Sequence, residues 1–267
     1  MKRGKSKPGK NTKFAIIFFA MIAIVVASSL IYKTASLIQR SRFDNHHRFN
    51  VLASDNKDMK ILSFAPDENS ISVLKIKGSK NNLDIYKFLG IPIDAKILTD
   101  RENFNKDISA FLSSSVLNYK DNRVGLTVVD ILRLLLFSKT VKSNNIQSDE
   151  LTTDLDEAER DKILASLFED DKISGEKISI EIINAAGEYG LGNRIARLIT
   201  NMGGNVLIVS TASDLEEKSR IYYSGKKIYT VQRLKNVLGV EVIDNNRQNI
   251  GEITIKIGND YKNYFAY

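Results

Sequence analysis

Nineteen consecutive residues without a charge, Phe14 to Tyr32 (FAIIFFAMIAIVVASSLIY), constrain this chain more than any other feature. At about 1.5 Å of rise per residue, a helix of that length reaches roughly 28 Å, close to the thickness of a bilayer's hydrocarbon core. Tyr32 and Lys33 then supply an interfacial aromatic and a flanking charge. Ahead of the run stand Lys2, Arg3, Lys5, Lys7, Lys10 and Lys13, with no acidic residue among them. Positive charge so placed stays in the cytoplasm. The pattern predicts a basic cytoplasmic tip (1–13), a single transmembrane helix (14–32) and all later residues outside the cytoplasm. A cleaved secretory signal is the competing reading, and Ala27, Ser28 and Ser29 would suit a cleavage site. Signal cores usually run only about 7–15 residues, so the length favours a retained signal-anchor.

The net charge of +7 looks at first like a nucleic-acid footprint. Setting aside the six basic residues of the tip leaves 33 of the 39 Lys and Arg against 32 Asp and Glu. The body of the chain is thus nearly neutral, whereas a nucleic-acid binder carries its positive charge on the face that meets phosphate. No nucleic-acid partner is expected. With 43% hydrophobic residues the chain has enough apolar material for packed cores, and with no cysteine those cores must do without disulfides. His46 and His47 are the only histidines and supply at most half of a metal site. Neither a metal nor a cofactor is expected.

Beyond the span, residues 33–47 read as a short polar stalk. Residues 48–145 read as an α/β region. Phe49–Leu52, Met59–Phe64 and Ile71–Ile76 have strand character, with Pro66-Asp67-Glu68-Asn69 as a turn and Ile91–Leu98 as a further strand. Phe104, Ile108, Phe111 and Leu112 recur at helical spacing behind Asp100. Thr127 and Asp130 form a capping-box pattern opening Val128–Phe137, which is too short to cross a bilayer and reads as a buried helix. Residues 146–176 read as an acidic linker, with a weakly amphipathic helix on Leu155, Ala158, Ile163 and Leu167. From 177 onward the order is β-α-β-β-α-β: strands at Ile178–Ile183, Val206–Val209, Arg220–Tyr223 and Ile253–Ile257, and helices on Leu191, Ile195, Leu198, Ile199 and Met202, then on Val231, Leu234, Val237 and Leu238. The fold class is α/β behind an N-terminal transmembrane helix.

The first strand of that region runs into Asn184-Ala185-Ala186-Gly187-Glu188-Tyr189-Gly190-Leu191-Gly192 and then a helix. Strand, glycine turn and helix start together make the geometry that holds phosphate. The glycine spacing is not that of a dinucleotide fingerprint, and no phosphate-loop lysine follows. The favoured reading is a tight turn and a close helix–strand approach. Asn184, Gly187, Gly190, Leu191 and Arg194 nevertheless remain the candidate ligand or partner loop, facing an anionic polymer or a partner's carboxylate. No catalytic residue is identified.

Ile180 to Gly187 with Gly190-Leu191 and the helix behind them resembles the start of the LytR C-terminal domain family. Ile221-Tyr222-Tyr223-Ser224-Gly225 resembles that family's central strand and turn, and Ile255-Lys256-Ile257-Gly258-Asn259-Asp260-Tyr261 its closing segment. The resemblance covers about residues 177–262. It implies a bacterial cell-envelope setting behind a signal or anchor, and it transfers no catalytic residues. The earlier segments Asn50–Leu52, Lys60–Phe64, Ile71–Lys77 and Leu89–Asp94 resemble, more faintly, the opening of the LytR-CpsA-Psr domain, whose enzymes move glycopolymers from a polyprenyl-pyrophosphate lipid to the wall. Lys77-Gly78-Ser79 stands where that family has an Arg-Asp pair, which implies a degenerate copy. The chain is therefore expected to be a single-pass cell-membrane protein presenting a non-catalytic binding domain outside the cytoplasm to a cell-wall polymer or an envelope protein. A reduced glycopolymer phosphotransferase and a cell-division or secretion accessory are the alternatives.

Overall fold

The structure is a computed structural model, and it describes residues 10–55, 57–77, 84–117, 122–226, 228–244 and 250–261. Gly78 and Ser79, where the Arg-Asp pair was sought, lie outside the described residues. Helix α1 (Lys10–Gln39) contains the expected span and continues past it. Its stretch Phe14–Gln39 is 26 residues long, with none of its most apolar window buried. It is the one helix among the described residues that is long and apolar enough to cross a membrane. Residues 33–39 were expected in the stalk but are helical, because no glycine or proline interrupts the chain there.

The rest of the expected stalk is docked instead of solvated. Phe43 is 1% exposed and packs in a T-shaped contact with Phe49. The chain then enters a six-stranded sheet with strand order β5-β4-β1-β2-β3-β6. Strands β1 (Phe49–Ser54), β2 (Met59–Ala65) and β3 (Ser70–Lys77) form an antiparallel meander. Its second turn is closed by Asn69 N–H donating to the Pro66 carbonyl at 3.1 Å, with Asn69 at φ 48°. After α2 (Ile85–Leu89) comes β4 (Ala95–Leu98), parallel to β1. The strand expected from Ile91 starts late because Pro92 has no N–H to give the ladder and its carbonyl accepts from Asn50 Nδ2.

The helix expected behind Asp100 is two helices, α3 (Arg101–Phe104) and α4 (Ile108–Leu117). Asp107 restarts the second by accepting from Ala110 N–H at 2.7 Å. A short β5 (Asn122–Val124) then leads to α5 (Val128–Thr140), which opens with the expected Thr127–Asp130 capping box. Helix α5 buries Asp130, Ile131, Leu134 and Ser138, whereas Leu132 and Leu136 are exposed, so the helix is amphipathic where a wholly buried one was expected.

The segment expected as an acidic linker is part of the fold. Strand β6 (Ile146–Thr152) extends the first sheet parallel to β3. Helix α6 (Glu157–Phe168) buries Arg160, Leu164, Leu167 and Phe168, so its inner face is rotated from the one read in sequence, and Ala158 is exposed. The sheet is covered on both sides. Val51, Leu62, Phe64 and Val73 meet α4 and α5 on one face; Leu52, Ile61, Leu74 and Ile76 meet α2 and α6 on the other. The period-two alternation of the strands produces this sandwich directly.

After α7 (Asp171–Glu176) the C-terminal lobe follows the expected β-α-β-β-α-β order with one short strand added. It comprises β7 (Ser179–Asn184), α8 (Leu191–Asn201), β8 (Asn205–Thr211), β9 (Arg220–Tyr223), α9 (Tyr229–Leu238), β10 (Glu241–Ile243) and β11 (Ile253–Ile257). The sheet order is β10-β9-β11-β7-β8. Leu191, Ile195, Leu198, Ile199 and Met202 of α8 are all buried, as their spacing predicts. Gly239 caps α9 at φ 64°. Arg197 of α8 fastens the lobes together: it donates to both oxygens of Asp161 (2.8 and 3.0 Å from Nε) and to the carbonyls of Lys87 and Phe88.

Candidate binding loop

Strand β7 ends at Asn184, whose side chain braces the turn that follows. Its Nδ2 donates to the Glu188 carbonyl at 2.8 Å and its Oδ1 accepts from Ala186 N–H at 3.2 Å. An asparagine does this because its amide offers a donor and an acceptor side by side. Gly187 (φ 69°) and Gly190 (φ 77°) take left-handed conformations, and Gly190 caps α8 with no side-chain hydrogen bond. Gly192 is needed for space: a Cβ there would lie 2.9 Å from Val209 Cγ1 and 3.3 Å from Asn184 Cβ. The close helix–strand approach read from the sequence is therefore real.

These residues line an open groove of about 390 Å³, with Gly187, Gly190 and Gly192 on one side and Val209-Ser210-Thr211 on the other. Of the five residues singled out in sequence, Asn184, Gly187 and Gly190 line it. Leu191 does not, being fully buried in the core. Arg194 is ion-paired with Glu188, which makes the loop's own charge neutral. Tyr189, missed in the sequence, stands at the rim with its side chain 99% exposed. Nothing in the periodicity distinguishes it from a core tyrosine; only its place between two left-handed glycines marks it as a loop tip.

Further polar groups lie outside this loop. Arg101 bridges the carboxylates of Asp55 and Asp58 at 2.8 Å each. Burial pushes the Asp55 carboxyl up, but the Asp58 and Lys57 amides and the Arg101 guanidinium outweigh it and hold the group below the usual range. Lys60 is buried, with its ammonium over the rings of Phe104 and Phe111; burial, helped by the nearby Lys75, pushes it down to about 8. Lys77 is ion-paired with Glu150. At the seam between the lobes, a cavity of about 250 Å³ is lined by Arg42, His47, Asp94 and Arg233 among others. His47 there contacts Asp44 and stacks on Tyr229 with centroids 5.1 Å apart, while His46 is exposed. His47 thus fastens the stalk to the fold, and among the described residues no group of three or more His, Cys, Asp and Glu could hold a metal ion.

Residues 177–261 match the family model described as LytR cell envelope-related transcriptional attenuator, the C-terminal domain that the three sequence blocks resemble. Among solved structures, one similar chain is a Listeria monocytogenes protein described as a candidate transcriptional factor. It is 10% identical, with 73% of this chain and 99% of that chain covered at a TM-score of 0.21. Another, from Listeria innocua, is 13% identical with 71% and 98% covered at a TM-score of 0.18. No curated protein matches the chain.

Proposed function

We propose that this chain is a single-pass membrane protein that holds a LytR C-terminal-type binding domain outside the cytoplasm, in the cell envelope, and catalyses no reaction itself. The observation that carries the reading is the union, in one chain, of an unburied 26-residue apolar helix with a domain matching an envelope-related family. The groove beside α8 suits a neutral, hydroxyl-rich partner such as a wall glycopolymer. Its ion pair leaves no surplus charge, its glycines let a ligand approach the backbone, and Tyr189 offers an aromatic face for stacking. Purified full-length protein in detergent should co-sediment with isolated cell-wall fragments, and Tyr189→Ala should weaken that retention. Equal retention of the variant, or no retention of either form, would refute this assignment of the groove.

A reduced glycopolymer phosphotransferase is the second reading, favoured by the three-layer α/β/α arrangement of residues 49–168. Pyrophosphate recognition normally uses bidentate arginine, and Val51 to Leu98 contains none. Arg101, just beyond, is committed to Asp55 and Asp58. Magnesium-dependent binding of a polyprenyl pyrophosphate that is lost when Lys75 and Lys77 become alanine would establish this reading over the first. Capture of division or secretion proteins in place of wall fragments would point to the accessory role.

A further inference from the structure

Helix α5 has three faces, and only two are accounted for. Ile131, Leu134 and Ser138 face the core. Asp130 and Arg133 face the chain that leaves α1: Asp130 accepts from Ser41, Arg42 and Phe43, and Arg133 donates to Ser41 Oγ and the Phe43 carbonyl, both at 3.0 Å. The third face carries Val128, Leu132 and Leu136, exposed by 39%, 45% and 65%. Spaced by four, they form one stripe along the whole helix. Lys139 lies on the same side and is exposed.

From this arrangement we infer that the outer face of α5 rests on the lipid surface from which α1 emerges, its three apolar side chains entering the interfacial region and Lys139 meeting anionic headgroups. The inference rests on the reading of α1 as a retained span. Two observations select lipid as the occupant. The first is continuity: Ser41 N–H donates to the Ile38 carbonyl at 3.1 Å, and Ser41 Oγ donates to Asp130 at 2.7 Å. Two hydrogen bonds thus join the end of the span, where Leu37 and Ile38 are still exposed, to the first turn of α5. The stripe cannot drift far from the bilayer. The second is charge: Lys33, Arg40, Arg42, Arg133, Lys139 and Lys142 flank this junction, and the only acid within 33–43 and 128–142 is Asp130, whose side chain is buried and hydrogen-bonded. A helix with an apolar stripe and basic flanks is the form that lies in a membrane interface.

The chain contains no tryptophan, so a single introduced one reports its own surroundings. The full chain carrying Leu136→Trp, and separately Tyr189→Trp, is reconstituted in phosphatidylcholine–phosphatidylglycerol vesicles with and without doxyl-labelled lipid. Leu136→Trp should show blue-shifted emission and lose intensity to the doxyl groups, while Tyr189→Trp keeps water-exposed emission and is not quenched. Unshifted, unquenched emission at 136 in protein that floats with the vesicles overturns the inference and leaves the span intact. A blue shift without doxyl quenching means that protein covers the stripe, and overturns it too. Failure of the chain to float at all removes the span reading and this one together.

Discussion

Replacing Asp130 with asparagine should uncouple the membrane helix from the domain behind it. The carboxylate is fully buried and accepts five hydrogen bonds. Oδ1 takes Ser41 Oγ (2.7 Å), Arg42 N–H (2.8 Å) and Phe43 N–H (2.9 Å), and Oδ2 takes Thr127 N–H and Oγ1, both at 2.7 Å. An asparagine must turn its NH₂ toward one set or the other. At least one backbone N–H then faces another donor, and the bonds that survive lose their charge assistance. Hydrogen bonds to charged groups contribute about 1.5–3 kcal/mol each and an orphaned buried donor costs about 1–3 kcal/mol, so the loss should be roughly 3–5 kcal/mol. That is a large part of a domain's typical stability of about 5–15 kcal/mol. Phe43, held by the same bonds, would be released with the segment. The assay is limited trypsinolysis of full-length protein in detergent, read at the Arg42–Phe43 bond, beside urea unfolding. Rapid cleavage after Arg42 and a lower urea midpoint are expected. Unchanged protection and an unchanged midpoint would refute the clamp.

Other consequences can be checked with the same preparations. Gly192→Ala should lower the melting temperature by the equivalent of about 1–3 kcal/mol, because its new methyl overlaps Val209; thermal unfolding equal to wild type would contradict the close approach. Arg197→Ala and Asp161→Ala should each destabilise the joint between the lobes, and a double-mutant cycle should give a coupling of about 1–3 kcal/mol; additive effects would show that the pair is idle. Asp44, Asp55 and Asp130 all have carboxyls held below their ordinary value of 3.8, despite burial that pushes each upward. Their folded values lie below their unfolded ones. Their contribution is therefore complete above about pH 5, well clear of the unfolded values, and is lost as the pH falls further, through the folded values. Urea midpoints should hold level from neutrality to about pH 5 and then drop; a decline already under way between pH 7 and 5 would need groups other than these.

Much of this architecture is legible in the residues because the signals are local. The apolar run, the Thr127–Asp130 cap and the Leu191–Met202 stripe each need only their own neighbours in sequence. What escaped is non-local. Residues 40–47 read as polar stalk because nothing in their composition reveals a buried carboxylate 87 to 89 positions away waiting for Ser41, Arg42 and Phe43. The acidic segment reads as linker because its charges outnumber its apolar residues, although β3 was missing a neighbour that Ile146–Thr152 supplies by backbone bonding alone. In the loop, Asn184 was recognisable by pattern, but its role as an internal brace and the pairing of Arg194 with Glu188 needed coordinates. Tyr189 carried no periodic signal at all.

The central claim is topological, and the absence of cysteine from the chain makes it directly measurable. Lys5→Cys and Tyr189→Cys are introduced singly, expressed in bacteria, and exposed in spheroplasts to a membrane-impermeant maleimide. The account predicts labelling of the 189 variant in intact spheroplasts and of the position 5 variant only after lysis. Labelling of position 5 with protection of 189, or recovery of the 189 variant as a shortened soluble protein, would contradict it.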